Sequence, residues 1–180
     1  VRACGGVFRD LGAQVDSIAF AEASEALELN PRGLVTAAEA YTLHQDRVQN
    51  HVDQYDPIVG QRLLLGQDIK AAEYLQAMRG LARLRATALH TLRDVDALLV
   101  PATMIPARPV EEIDASLESY ARLNLQYLRN TLIGNLLGLC ALSVPCGFTS
   151  QGLPIGLMIY GKPFCDDMVL RIGYVFATAP

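Results

Sequence analysis

Lysine is scarce in this sequence. Lys70 and Lys162 stand against thirteen arginines, and the cations are scattered rather than gathered into a stripe or tail. The net charge is −4 and the pI is near 5.3. Nucleic acid is therefore not an expected partner, because phosphate backbones select clustered positive charge. Long hydrophobic runs are also lacking. The most apolar stretch, Leu132–Val144, is interrupted by Gly134, Asn135 and Gly138. It is too short and too broken to cross a bilayer, so no membrane partner is expected. The residues from Val1 onward do not read as a signal peptide, and none is expected. The four cysteines (Cys4, Cys140, Cys146 and Cys165) contain no CxxC pair and no histidine at metal spacing. Cys140 and Cys146 fall in one apolar run, and on a strand they would face the same way. Buried free thiols of a cytoplasmic protein are the expectation.

What is present points to a packed fold. Half of the residues (51%) are hydrophobic and 19% are charged. The 180 residues suit one unit, 1–180, able to bury about two-thirds of its unfolded surface. So apolar a chain is expected to turn some of that surface toward other protein, a second copy of itself or the rest of a larger fold. Both ends read as cut, the first at Val1 inside a helix and the last just after another helix.

Along the chain, Val1–Leu11 reads as a helix stopped by Gly12, and Ala13–Phe20 reads as a short strand. That order favours a parallel pairing. Glu22–Leu29 reads as a short helix, broken by Pro31-Arg32-Gly33. Thr36 with Glu39 forms a capping-box pattern for a helix reaching about Tyr55. Asp56-Pro57 begins a further helix that ends near Gly66. Asp68 is placed to cap the longest helix, Ile69–Arg93, with Ala71, Leu75, Met78, Leu81, Ala82, Leu89 and Leu92 on its apolar face. Asp94–Pro101 is apolar on both faces and reads as a central strand. Pro101–Pro109 is a loop. Ser116–Ile133 is helical, Gly138–Pro145 is a buried strand, and Ile155–Gly161 returns antiparallel to it. Asp166 or Asp167 caps a last helix, Met168–Phe176. The sum is an α/β fold: a mixed β-sheet flanked by helices, with a helical insert between Glu22 and Arg93.

Serine chemistry needs a hydroxyl on a constrained turn, a base within reach and oxyanion donors. None of the six serines lies in a GxSxG elbow, and Ser143 falls inside a strand read as buried. His44 and His51 share an expected helix face at a spacing wider than the three or four residues that helix ligand pairs use, so no metal is expected. Glu111-Glu112 and Asp166-Asp167 are adjacent pairs that point apart. Arg62 reads as a buried arginine in an apolar setting between two helices, Gln61-Arg62-Leu63-Leu64-Leu65-Gly66, and serves as either a structural ion pair or an anchor for a substrate acid or carbonyl group. Arg129–Asn135 ends a helix with polar groups that either hold backbone together or line a cavity.

Several of these segments together resemble the back half of the amidase-signature family. They are Gly33–Tyr41, Tyr55-Asp56-Pro57, Arg62–Gly66, Asp96–Thr103, Leu128–Thr131, Asn135–Gly147, Gly152–Leu157 and Asp166–Arg171. The most specific block is Asn135-Leu136-Leu137-Gly138-Leu139-Cys140-Ala141-Leu142-Ser143-Val144-Pro145-Cys146-Gly147, followed by Gly152-Leu153-Pro154-Ile155-Gly156-Leu157. The resemblance covers nearly the whole chain and is nearest to amidases of the allophanate-hydrolase or small-amide kind. It implies one α/β fold, hydrolysis of linear carboxamides through a Ser–cis-Ser–Lys triad and a serine acyl-enzyme, and no metal or organic cofactor. The Gly/Ser-rich signature and the catalytic lysine of that family have no counterpart here, so no catalytic residue carries over. The resemblance implies substrate-binding roles for Arg62, Thr131 and Asn135, with a small-molecule amide as partner and the triad in an N-terminal half of the same fold. The 180 residues alone are then expected to be inert. A non-catalytic binding or scaffold module is a second implication, and a glutamyl-tRNA amidotransferase A-type subunit is a third.

Overall fold

The computed structural model describes residues 1–179, the side chain of Leu117 excepted. Among these residues eight α-helices and three strands follow one another, besides short 3-10 turns at Pro31–Gly33 and Val52–Gln54: α1 (Cys4–Asp10), α2 (Glu22–Glu28), α3 (Leu34–Asn50), α4 (Pro57–Leu64), α5 (Ala71–Thr91), β1 (Leu98–Pro101), α6 (Val110–Ile113), α7 (Leu117–Leu137), β2 (Cys140–Phe148), β3 (Pro154–Gly161) and α8 (Asp166–Ala177). The α/β architecture, with helices flanking a sheet, is as expected. Its small sheet is antiparallel, in the order β1-β3-β2.

Two strand expectations are corrected. Ala13–Phe20 forms no strand. The chain turns after α1, where the Ala13 N–H donates to the Phe8 carbonyl at 2.9 Å. Val15 then packs on the sheet's core and Phe20 on the helical core, so the apolar residues bridge two cores instead of lining a ladder. The strand read as central, β1, is an edge strand, and β3 is the middle one. The apolar residues of β1, Leu98, Leu99 and Val100, are half-buried. Leu99 packs into the sheet core, while Leu98 and Val100 pair with Tyr160 and Met158 of β3. Leu157 and Ile159 of β3 are wholly buried, each contributing about 1.5–3 kcal/mol of transfer free energy.

On one face of the sheet, α1 and α8 join Cys4, Phe8, Val144, Leu157, Ile159 and Val169 in one cluster. The Phe8 and Phe176 rings stack with centroids 5.1 Å apart. A second cluster lies between α2, α5 and α7 and includes Ala26, Leu81, Leu84, Ala88, Ile133 and Leu137. Its geometry selects which stripe of α5 is buried. Ala77, Leu81, Leu84, Ala88 and Leu92 face inward, whereas Leu75 and Leu89 of the expected face are 50% and 41% exposed. A helix this rich in Leu and Ala offers more than one apolar stripe, and the neighbouring helices decide between them. The insert carries a smaller cluster of Tyr41, Val48 and Leu63.

The caps divide in the same way. Asp56 caps α4 as expected, accepting from the Ile58 and Val59 N–H groups at 2.9 and 3.2 Å. Ser116 caps α7 through the Ser119 N–H at 3.1 Å, and the helix runs past Ile133 to Leu137. Thr36 does not cap α3. That helix starts earlier, and Asn30 Oδ1 accepts from the Val35 N–H at 2.9 Å. Asp68 does not cap α5; Glu73 reaches back to the Lys70 N–H at 3.1 Å. Gly66 closes the chain against α3, where a Cβ would lie 2.5 Å from Tyr41 Cβ and against the Ala37 carbonyl. Among the described residues no helix is long and apolar enough to cross a membrane.

Candidate functional site

The polar face of the fold is built where α7 lies over the sheet. Gly134 makes this approach possible, because a Cβ there would collide with the Tyr160 ring. The Gly134 N–H donates to the Tyr160 hydroxyl at 3.2 Å, and that hydroxyl donates in turn to the Asn130 carbonyl. Burial raises the Tyr160 phenol above its ordinary pKa, with the Gly134 N–H acting in the opposite sense. Asn130 Nδ2 donates to the Pro101 carbonyl at 2.7 Å, and the Tyr127 hydroxyl donates to the Pro106 carbonyl at 3.1 Å. These bonds tie α7 to the loop that leaves β1.

Thr131 and Asn135 lie one helical turn apart on α7, and both are exposed. The Thr131 hydroxyl donates to the Leu128 carbonyl at 2.9 Å. The helix therefore brings this predicted pair together. Arg62 belongs to another layer. It is exposed on α4, which packs on α3, whereas α7 packs on α2, α5 and α6. The buried setting expected for Arg62 is thus corrected: the apolar neighbours Leu63 and Leu64 turn inward on the helix and leave the guanidinium outside. The ion pairs among the described residues are Arg93–Asp94 and Arg108–Glu112, so the structural ion pair considered for Arg62 does not form.

Ser143 also departs from its reading as buried. In β2 the residues Cys140, Leu142 and Val144 turn toward α1 and α8, while Ala141, Ser143 and Pro145 are exposed on the α7 side. Position 156 is glycine for a local reason. A Cβ there would lie 2.8 Å from Ser143 Oγ and 3.0 Å from Ala102 Cβ. The helix end at Thr131 and Asn135 and the bare β2 surface at Ser143 are polar ground that can line a ligand cavity. Sequence reasoning misplaced Ser143, whereas for Asn130 the reading that polar groups at this helix end hold backbone together is the one that forms. Strand parity alone would have placed Ser143 opposite the apolar even-numbered residues.

The described residues hold no assembled nucleophile. Lys162 Nζ donates to the Arg93 carbonyl at 2.9 Å, and Lys70 stands at the N-terminus of α5. Neither lysine hydrogen-bonds a serine. His44 Nδ1 bonds the Tyr55 hydroxyl at 2.8 Å, and His51 leaves the helix, so the two do not share a helix face. No three His, Cys, Asp or Glu side chains among the described residues converge as a metal group would require.

The chain is similar to known proteins. Over 162 residues the chain is 33% identical to a 2-amino-5-chloromuconic acid deaminase of Comamonas testosteroni, covering 89% of the chain and 35% of that protein. It is 31% identical over 169 residues to the A-type subunit of the glutamyl-tRNA(Gln) amidotransferase of Geobacter sp. (strain M21), covering 91% of the chain and 31% of that protein. The chain thus spans about a third of the length of these relatives. A serine-to-alanine variant of Kluyveromyces lactis allophanate hydrolase has the same fold, with a TM-score of 0.86 and 23% identity over 99% of the chain and 28% of that structure. The Amidase family model matches residues 2–170, and the chain belongs to that family.

Proposed function

We propose that this chain is the substrate-wall portion of an amidohydrolase that cleaves linear carboxamides to an acid and ammonia or an amine. The observation that carries the reading is the Amidase match over residues 2–170 in a chain in which, among the described residues, neither lysine hydrogen-bonds a serine. A hydrolase of this family needs an activated nucleophile and oxyanion donors, and no described residue supplies such a set. The catalytic step, a serine acyl-enzyme formed by a Ser–cis-Ser–Lys triad, is assigned to an N-terminal portion of the same fold. The exposed α7 side of β2, at Ala141, Ser143 and Pro145, is the surface that would meet it. In this reading Thr131 and Asn135 line the acyl side of the substrate cavity, and Arg62 offers its guanidinium to a carboxylate or carbonyl on the substrate. A small amide and the remainder of the fold are the expected partners.

The test is ammonia release by the whole protein over a panel of small amides, alongside the 180 residues alone. Release by the whole protein only supports the reading. Robust hydrolysis by the 180 residues alone overturns the division of labour. A role within an amidotransferase is the second reading, favoured by the 31% identity to the Geobacter protein. It requires glutamine as the ammonia donor and further protein chains for full activity.

A further inference from the structure

The turn between β3 and α8 holds an aromatic ring where glycine is the usual residue. The Cys165 N–H donates to the Lys162 carbonyl at 3.1 Å and closes a four-residue turn, with Pro163 second and Phe164 third. Proline fixes a negative φ at the second place, and Phe164 takes φ 61° at the third. That is the type II pattern, whose third position favours glycine. A bulky side chain is strained in this left-handed backbone. Nothing among the described residues offsets the strain through the ring, because Phe164 is 97% exposed.

The turn is nevertheless clamped. The Cys140 thiol donates to the same Lys162 carbonyl at 3.1 Å, and Lys162 Nζ donates to the Arg93 carbonyl at 2.9 Å. Phe164 therefore stands at a fixed place on a groove of about 460 Å³. Leu89 of α5, Leu137 of α7, Leu139 and Pro163 give the groove apolar walls. Arg85 and Asp166 also line it, but Arg85 Nε donates to the Leu136 carbonyl at 2.8 Å, so that cation already serves the C-terminus of α7. An apolar occupant suits such a groove better than an anion.

We propose that Phe164 is an anchor for the part of the protein outside residues 1–180, an apolar segment of which fills the groove and packs on the ring. This contact rests on the reading above only in placing further fold beyond these residues, and it is distinct from the β2 surface at Ala141, Ser143 and Pro145. The chain spans about a third of the length of its relatives, and the Amidase match runs through the turn to residue 170, so a fold of this kind has ample chain to cover it. An aromatic ring preset by a clamped turn loses little freedom on contact, as an anchor requires.

The experiment is hydroxyl-radical footprinting of the whole protein, with oxidation at Phe164 read by peptide mass spectrometry over a range of protein concentrations. The urea-unfolded protein is the reference. The expected result is loss of most of the Phe164 oxidation on folding, to the same extent at every concentration. Oxidation as fast as in the unfolded protein overturns the proposal. So does protection that grows with concentration, because a second copy then covers the ring. Phe164→Gly gives an independent reading, since it removes the strain together with the ring. The unfolding midpoint of the whole protein should fall; a midpoint that rises or holds would mean strain without contact, and would overturn the anchor. Ammonia release by the same sample separates the two readings. Turnover with an open ring defeats the anchor alone, and a protected ring without turnover supports the anchor while defeating the amidase reading.

Discussion

Asn130 on α7 holds the Pro101 carbonyl at the end of β1, its Nδ2 donating across 2.7 Å. Asn130 is only 8% exposed, and its own carbonyl accepts from the Tyr160 hydroxyl. One residue thus joins α7, β1 and β3 beneath the surface that carries Thr131 and Asn135. Asn130→Ala removes the donor and leaves the Pro101 carbonyl to water. The expected cost is about 0.5–1.5 kcal/mol in urea unfolding, the net worth of one part-buried hydrogen bond whose acceptor regains water. Asn130→Asp costs at least as much at neutral pH, since an ionised carboxylate turns an acceptor toward a carbonyl. A change below the error of the unfolding measurement in both variants would remove this bond from the account.

Gly134→Ala is the second prediction. Alanine is favoured over glycine in a helix by about 1 kcal/mol. Here the added Cβ meets the Tyr160 ring, and overpacking of that kind costs about 1–3 kcal/mol. The net effect is a lower unfolding midpoint. A higher midpoint would show that α7 has room to lift from the sheet.

Tyr160 gives a prediction in pH. Burial raises its phenol pKa in the folded chain, so the folded state holds the proton longer than the unfolded state does. The stabilisation is fully present below the unfolded tyrosine value of about 10 and is lost as pH rises through the folded value. Unfolding free energy should fall in that alkaline window, and Tyr160→Phe should flatten the fall. At neutral pH the same variant is less stable by about 1–3 kcal/mol, because the Gly134 N–H loses its acceptor. An alkaline slope equal to that of the parent protein would contradict this assignment.

Much of the fold is legible in the sequence, and the failures have physical causes. Asp56 followed by Pro57 is a local cap that needs no tertiary partner, and it forms as read. Thr36 carries an equally good local pattern, yet Asn30 supplies the cap from five residues before Val35. Ala13–Phe20 carries Val15, Ile18 and Phe20 between Gly12 and α2 as a short strand could, but a strand needs a neighbour to pair with, and a local apolar pattern says nothing about where neighbours run. β1 is an apolar run of which only Leu99 packs into a core cluster, so the composition of a central strand sits on an edge strand. Thr131 and Asn135 are legible as a pair because helical spacing fixes their common face. Arg62 departs from its buried reading because apolar neighbours in sequence are not apolar neighbours on a helix. That polar groups of Arg129–Asn135 hold backbone together is legible in the sequence, but the partner of Asn130, the Pro101 carbonyl, is not, since it lies on another element.

The substrate wall makes its own prediction. In the whole protein, Asn135→Ala and Arg62→Ala should weaken productive binding and leave folding intact, because both side chains are exposed. Losing a charge-assisted bond from Arg62 costs about 1.5–3 kcal/mol, or roughly ten- to a hundredfold in kcat/KM for amides that carry a carboxylate. Neutral amides should be nearly unaffected by Arg62→Ala. Equal losses for both substrate classes would remove Arg62 from the substrate wall.

The central claim is that these residues bind an amide whose bond is cut by groups lying elsewhere in the same fold. The most direct measurement is ammonia release from small carboxamides, made in parallel on the whole protein and on residues 1–180 at matched concentration. The account predicts turnover by the whole protein and none above background by residues 1–180. Turnover by residues 1–180, or none by the whole protein on any amide, would contradict it.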